Sequence, residues 1–487
     1  MKTKILLIAV TLLISLQFMH AQYLVSSTEV LNYSASQVNF ILNYHGWDTS
    51  PMTLNGAVMY KITYNTTDVY GEPTIASGAL FVPQNSCDTL PFVSWQHGTQ
   101  FEKIDVPSNT DEYDVGLLYS GNGYIATLPD YLGMGDNPGH HPYIHWESEA
   151  TASIDLIRAA REYLNDTLLI WDNNQLFIAG YSQGGHATMA IHKYITVNNL
   201  QTEFNVVASA PGSGVFPLYD VQLPGMLDED STFYASHFMP YALASYQLVY
   251  GNLYDNYIEY YDPPYDSIIA DWLNSGIHND YEWAELIPDN FYDFMQDSVL
   301  DNIKSNPNHP ANVDIRENDL HNWIPQEPVR MLYCGMDSMA FSQNSIMALD
   351  TMIALGTLEV QALELDPDAD HNGCFIPATI YSLVWFDSLR VDCTIVSIPS
   401  VKKQTGISLC PNPFTTSVTI EYELAHPGIV RINIYNQLGG EVEVIEGRKQ
   451  KGLNQVVWTP RNIPNGIYYF RLQAGEQTAS GKMMLMK

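Results

Sequence analysis

Positive charge is what this chain has least of. Its 487 residues hold 21 Lys plus Arg against 54 Asp plus Glu, a formal net charge of −33. Nucleic acid and anionic membranes both require a basic surface, so the charge balance excludes them as partners. Cysteine is also scarce. Cys87, Cys334, Cys374, Cys393 and Cys410 are too few for a disulfide scaffold, and their odd number leaves at least one without a partner in the chain. After the N-terminal segment no apolar run reaches the ~18 residues of a membrane-spanning helix, so none is expected in the mature chain. Internal repeats and low-complexity tracts are missing too. What is present, 46% hydrophobic and 12% aromatic residues, is the composition of a globular protein with a substantial core.

The charge is unevenly placed. Aspartate stops at Asp392, and from Leu409 to Lys487 six Glu meet eight bases, a net of +2. Without that tail and the leading Lys2 and Lys4, the rest holds 48 acids against 11 bases, a net of −37. Such a break predicts a domain boundary. At the other end, Lys2 and Lys4 precede an apolar run, Ile5–Leu16, and Met19-His20-Ala21 closes on a small residue. That pattern predicts a secretory signal peptide over residues 1–21.

The body reads as strands followed by strand–helix alternation. Ala57–Thr66 and Thr74–Val82 flank a Gly71-Glu72-Pro73 turn, and Phe92–Gln96, Tyr124–Leu128, Gln175–Ala179, Phe204–Ala210 and Val329–Tyr333 are further strands. Ser153–Leu164 and Ala187–Ile195 have helical spacing. The alternation predicts an α/β fold, a doubly wound and mostly parallel sheet. Between the last two strands lies an insertion, about 212–327, with twelve tyrosines and helical stretches at Tyr241–Tyr250, Ser267–Leu273 and Tyr292–Ile303. It is too long for a loop and is expected to form a helical cap. The tail, with short strands at Ser417–Tyr422, Ile429–Tyr435 and Ile467–Leu472, is expected to be all-β.

The strongest local signal is Gly180-Tyr181-Ser182-Gln183-Gly184, placed where a strand runs into a helix. A serine on so tight a turn has its hydroxyl exposed, and Gly180 and Gly184 keep neighbouring side chains out of the way. The hydroxyl needs a base, and in this motif's usual order an acid and then a histidine follow. Of fourteen histidines, His371 and His426 lie beyond the Val329–Tyr333 strand, and His426 is in the tail, so His371 is the candidate. Asp337, three residues after that strand, is the candidate acid; Asp350, Asp366, Asp368 and Asp370 compete with it. The backbone N–H groups of Gln183 and Thr99 are candidate oxyanion donors, Thr99 because Gly98 lets that loop approach closely. His97 is read as a loop anchor, and His140, His141 and His145 as a polar loop and not a metal centre, since no H-E-x-x-H or comparable ligand set occurs.

These residues, with Asp130-Tyr131-Leu132-Gly133-Met134-Gly135, His141-Pro142-Tyr143 and Asp370-His371-Asn372-Gly373-Cys374, resemble the α/β-hydrolase superfamily. The likeness is to its secreted lipase and esterase branch of fungal secretory lipases and bacterial relatives, over roughly Asn55–Leu389. The resemblance implies a Ser182–Asp337–His371 triad beneath the cap, a hydrolase domain over residues 22–400, and no cofactor or metal. One departure is the acid loop, where Phe341 stands at the place of a usual proline. If the triad forms, Cys334 and Cys374 lie on neighbouring loops, and a disulfide between them is expected. In the tail, Cys410-Pro411-Asn412-Pro413-Phe414, Ile434–Gly440 and Gly466–Leu472 resemble the C-terminal sorting domain of type IX secretion in Bacteroidetes, as a β-sandwich over residues 408–487.

Together the resemblances imply a secreted or cell-surface serine hydrolase. Its partners would be the type IX secretion machinery and a small-molecule, lipid or carbohydrate ester. A prolyl-type peptidase on the same fold and a non-catalytic adhesin are the alternatives. The cap's bases are Lys304 and Arg316, which implies a preference for uncharged esters.

Overall fold

A computed structural model describes residues 22–50, 52–85, 87–109, 114–228, 235–357, 359–391, 407–436, 440–461, 463–474 and 477–485. The expected signal peptide, Cys393 and residues 437–439 of the tail motif lie outside these. The chain divides after Cys393 into two compact units.

The first unit is built on nine strands: β1 (Leu24–Tyr33), β2 (Gly56–Thr67), β3 (Pro73–Gln84), β4 (Thr89–Gln96), β5 (Ile125–Pro129), β6 (Trp171–Tyr181), β7 (Val206–Gly212), β8 (Val329–Cys334) and β9 (Val360–Asp366). Their order in the sheet is β1-β2-β3-β5-β4-β6-β7-β8-β9. Pairings from β1 to β5 are antiparallel. Those from β5 through β4 to β9 are parallel. Successive residues of β6 serve opposite faces. Leu176 and Ile178 pack with Ile154, Met189 and Ile191, whereas Phe177 and Ala179 pack with Leu117, Leu383 and Phe386. Helices Trp146–Tyr163 and Gln183–Val197 thus cover one face, and Asp114–Gly121 and His371–Leu389 the other. A sheet covered on both faces needs unbroken apolar runs, which is why its central strands were legible. Fully burying one such side chain is worth about 1.5–3 kcal/mol.

The two outermost strands carry no such run. Most of β1 is exposed and lacks apolar alternation, and β9 reads Val-Gln-Ala-Leu-Glu-Leu-Asp with its Val360 alone buried. Neither was expected, and β9, not β8, is the last strand of the sheet. His371 still lies beyond it.

Between β7 and β8 the chain forms helices Leu223–Met226, Phe238–Tyr250, Tyr265–Ser275, Asp280–Leu286, Asp297–Ser305 and Pro310–Glu317 around an aromatic core. The helix expected over Tyr292–Ile303 is interrupted. Phe291–Asp293 is a 3₁₀ turn, Met295 bridges to Tyr261, and the α-helix begins at Asp297. Phe294 and Met295 are wholly buried, and backbone bonds from Asp262 to Phe294 and from Gln296 to Tyr260 hold the extended break. Pairing to a buried neighbour outweighs local helical spacing here.

The second unit has two antiparallel sheets. One is β10 (Ile407–Cys410), β11 (Val418–Leu424) and β14 (Gly452–Trp458); the other is β13 (Glu441–Lys449), β12 (Gly428–Tyr435), β15 (Gly466–Ala474) and β16 (Gln477–Leu485). Val418, Ile420 and Tyr422 of the first and Ile432, Ile434 and Phe470 of the second share one core. Their alternation with exposed residues is the pattern of sheets with one wet face. The β13 strand has no buried residue, so it carries no such signal.

A disulfide joins Cys334, at the end of β8, to Cys374, in the first turn of the His371–Leu389 helix, with both cysteines buried. It closes a 40-residue separation. In the chain-entropy account such a closure stabilises by about 4 kcal/mol. The double substitution Cys334→Ala with Cys374→Ala is therefore expected to lower unfolding stability by about 3–4 kcal/mol in urea titration. An unchanged midpoint and slope would refute that contribution.

Candidate active site

The β6 strand ends at Tyr181, and the helix begins at Gln183. Ser182 between them has φ 61° and ψ −121°, a backbone region that a side chain adopts only when its surroundings enforce it. The enforcement is visible in the neighbouring glycines. A Cβ on Gly184 would stand 1.9 Å from the Gln96 carbonyl oxygen, and one on Gly180 would stand 2.3 Å from the Gly184 oxygen. Gly185, not singled out in the sequence, is held as tightly: a Cβ there would stand 2.4 Å from the Gly212 oxygen. The turn is wedged between the ends of β4 and β7, and only backbone fits there.

The hydroxyl of Ser182 lies 2.9 Å from His371 Nε2, and His371 Nδ1 lies 2.8 Å from Asp337 Oδ2. His371 opens its helix, and the Asp370 side chain caps that helix by accepting the Gly373 N–H at 2.7 Å. The Tyr181 hydroxyl donates to the His371 carbonyl. Asp337 is buried; its Oδ1 accepts the N–H groups of Met339 and Ala340 at 3.0 and 2.9 Å. That turn is how the unusual acid loop folds back on its own carboxylate, while Phe341 packs over Gly225. The competing aspartates do not reach His371: Asp366 accepts the Asp368 N–H, and Asp370 is the helix cap. The structure thus brings Ser182, His371 and Asp337 into one line from three separate elements.

Beside the serine, a Cβ on Gly98 would be 3.6 Å from Ser182 Cβ, so the Gly98–Thr99 backbone runs against that side chain. The Thr99 hydroxyl is 3.1 Å from that of Tyr143. His97 Nδ1 is 2.7 Å from the Gly98 carbonyl, and its ring lies over Tyr131 with centroids 4.4 Å apart. It anchors the loop. His140, His141 and His145 each have separate partners: the Leu273 carbonyl, the Leu132 carbonyl and the Ser148 hydroxyl.

A layer beneath the site was not foreseen. Glu149, wholly enclosed, is 2.7 Å from His186 Nδ1 and accepts from the Gln183 side chain at 3.0 Å, while the same Gln183 amide donates to His141 Nε2 at 2.8 Å. These groups fix the first turn of the helix that follows Ser182. The one sequence signal was a carboxylate on the apolar face of a helix, which by itself names no partner.

Ser182 and His371 open into a narrow cavity of about 90 Å³. Its walls include Ile144, Val215, Leu223, Met226, Phe238 and Met239, all but Ile144 from the cap, and none of the described lining residues is Asp, Glu, Lys or Arg. Of the cap's described tyrosines, Tyr246 alone lines it. Tyr241, Tyr254, Tyr260 and Tyr261 belong to the cap's own core.

Superposition on solved structures matches this architecture. The rice cell wall degrading esterase LipA from Xanthomonas oryzae aligns with TM-score 0.69 at 26% identity, over 76% of this chain and 100% of that one. The large unit has the α/β-hydrolase fold. Candida antarctica lipase A in its closed state shares it, with TM-score 0.57 and 16% identity over 76% of this chain and 84% of that one. In sequence, 144 residues are 31% identical to the secreted triacylglycerol lipase LIP4 of Malassezia globosa, covering 26% of this chain and 29% of that protein. The match therefore spans less than a third of that curated relative. Residues 408–486 match the secretion system C-terminal sorting domain. The α/β-hydrolase unit thus places its serine at the carboxyl end of β6. There the chain order turns from β5-β4 on one side to β7 on the other, the crevice such sheets use for ligands.

Enclosure gives this candidate site a pH signature. Loss of water around the rings pushes His141 and His145 down to about 4. In the unfolded chain each returns to about 6.5. The unfolded state then binds protons first, so this stability is complete above pH ~6.5 and is lost as pH falls towards 4. The urea midpoint is expected to fall from pH 7 to pH 5, with a smaller fall in His141→Gln. A midpoint that rises over that interval contradicts the assignment.

Proposed function

We propose that this protein is a secreted serine esterase acting on uncharged carboxylic esters. The observation that carries the reading is the Ser182–His371–Asp337 hydrogen-bonded line at the floor of an apolar cavity. In this scheme His371 takes the Ser182 proton as the hydroxyl attacks the acyl carbon, and Asp337 holds the imidazole tautomer and stabilises its charge. The N–H groups of Gln183 and Thr99 hold the tetrahedral oxyanion. His371 then protonates the leaving alcohol, and a water, activated by the same imidazole, releases the acid from the acyl-enzyme.

The cavity sets the substrate class. An acyl chain is favoured by its apolar walls, and with no lysine or arginine among the described lining residues an anionic ester has no counter-charge there. The similarity to an esterase and to a secreted lipase supports ester cleavage, and the sorting domain supports export by the type IX machinery to the medium or the cell surface.

A Ser182→Ala protein is expected to lose at least about 10³-fold in kcat/KM on an aryl ester while unfolding as the wild type does. Hydrolysis at the wild-type rate would refute the nucleophile. Labelling of the wild type by a fluorophosphonate separates an esterase from a non-catalytic adhesin. In a panel of uncharged acyl esters, an anionic polyester and a prolyl amide, the uncharged esters are expected to lead. Preference for the prolyl amide would favour a peptidase, and preference for the anionic polyester would refute the charge argument.

A further inference from the structure

Three side chains at the two ends of the cap have no part in this chemistry. Asp220 lies in a short π-helix, Leu218–Gln222, soon after the chain leaves the sheet at Gly212. Asp319 and His321 lie on the return path, between helix Pro310–Glu317 and β8. One carboxylate oxygen from each aspartate and one ring nitrogen of His321 all stand within 4.8 Å of one another. Among the described residues no hydrogen bond or ion pair joins any two of the three side chains.

The surroundings satisfy them only in part: backbone N–H groups of Leu218 and Tyr219 reach Asp319, and the Phe216 backbone reaches the His321 ring. His321 is 8% exposed, and its Nδ1 is buried with no hydrogen-bond partner. Asp319 is 3% exposed and accepts the Tyr219 N–H at 3.1 Å through Oδ1. The nearby cations are engaged elsewhere. Lys193 Nζ donates to the backbone carbonyl of Asp319 at 3.1 Å and sits over the Trp146 ring, Arg316 lies over the Tyr219 ring and donates to the Pro307 carbonyl, and Lys304, which borders the same surface cavity as Asp220, lies over the Tyr292 ring.

Two carboxylates drawn together in part-buried surroundings repel, and either a proton on one of them or a cation between them relieves the repulsion. Separations beyond hydrogen-bond contact but under 4.8 Å suit ligands gathered around one ion with bonds of about 2.0–2.2 Å. Two carboxylates supply the charge for a divalent ion, and the imidazole selects a borderline metal over calcium or magnesium, which take oxygen ligands. Asp220 is exposed and borders a surface cavity with Tyr219 and Asp228, so an ion has a way in and water can complete the coordination. We propose that Asp220, Asp319 and His321 bind zinc and clasp the two hinges of the cap. Leu218 and Gln222 of the same π-turn line the cavity of Ser182, so the clasp also fixes one wall of that cavity. The proposal does not depend on the ester reading.

The test uses the full chain, stripped by chelator and dialysed, with zinc chloride as the probe. About one zinc is expected to be retained per chain, and zinc at 100 times its Kd is expected to raise the thermal midpoint by roughly 3 °C. Asp220→Asn changes an exposed side chain and should fold, yet lose both effects; His321→Gln should do the same. Equal zinc retention by Asp220→Asn and the wild type would overturn the site. So would a wild-type midpoint that follows pH but not zinc. An equal rise with calcium or magnesium would overturn the choice of metal.

Discussion

The tight junction at Ser182 is the constraint on which the rest of this molecule depends. The serine has φ 61° because three strand ends converge there, with Gly184 pressed against Gln96 of β4 and Gly185 against Gly212 of β7. Strain of this kind, about 1–3 kcal/mol, persists only where neighbours over-determine it. The parallel core of the sheet supplies those neighbours. Glu149, His186 and His141 supply the underside, holding the Gln183 side chain and so the first turn of the helix.

Around that rigid point the other groups arrive on separate elements, each tied down locally. Asp337 is held by its own loop's N–H groups, and His371 by its position as the first residue of a capped helix. The Cys334–Cys374 disulfide joins the strand that leads to one with the helix that carries the other. The cap completes the enclosure with apolar side chains, and its aromatic wealth is spent mainly on its own core.

Much of this was legible beforehand, for a common reason. The central strands lie under helices on both faces, so their apolar runs were unbroken, and the Gly-x-Ser-x-Gly turn fell where a strand meets a helix. Elements that bury little were silent: β1, β9 and β13 lie at sheet edges and have mixed sequences. The cap misled in one place, where the spacing of Tyr292–Ile303 suggested one helix but burial of Met295 beside Tyr261 imposed a break. The charge asymmetry marked the border of the sorting domain, whereas the cavity at Ser182 has no Asp, Glu, Lys or Arg among its described lining residues.

The sequence by itself determined the class of sheet, the tight turn at Ser182 and the order in which serine, acid and histidine occur, because these depend on periodicity and on local backbone geometry. Tertiary structure alone decided which aspartate faces His371, that Glu149 and His186 brace the turn from below, and that Asp220, Asp319 and His321 meet across the cap's hinges. Those are contacts between residues far apart in the chain. Their distances are set by how strands and helices pack, which no local pattern encodes.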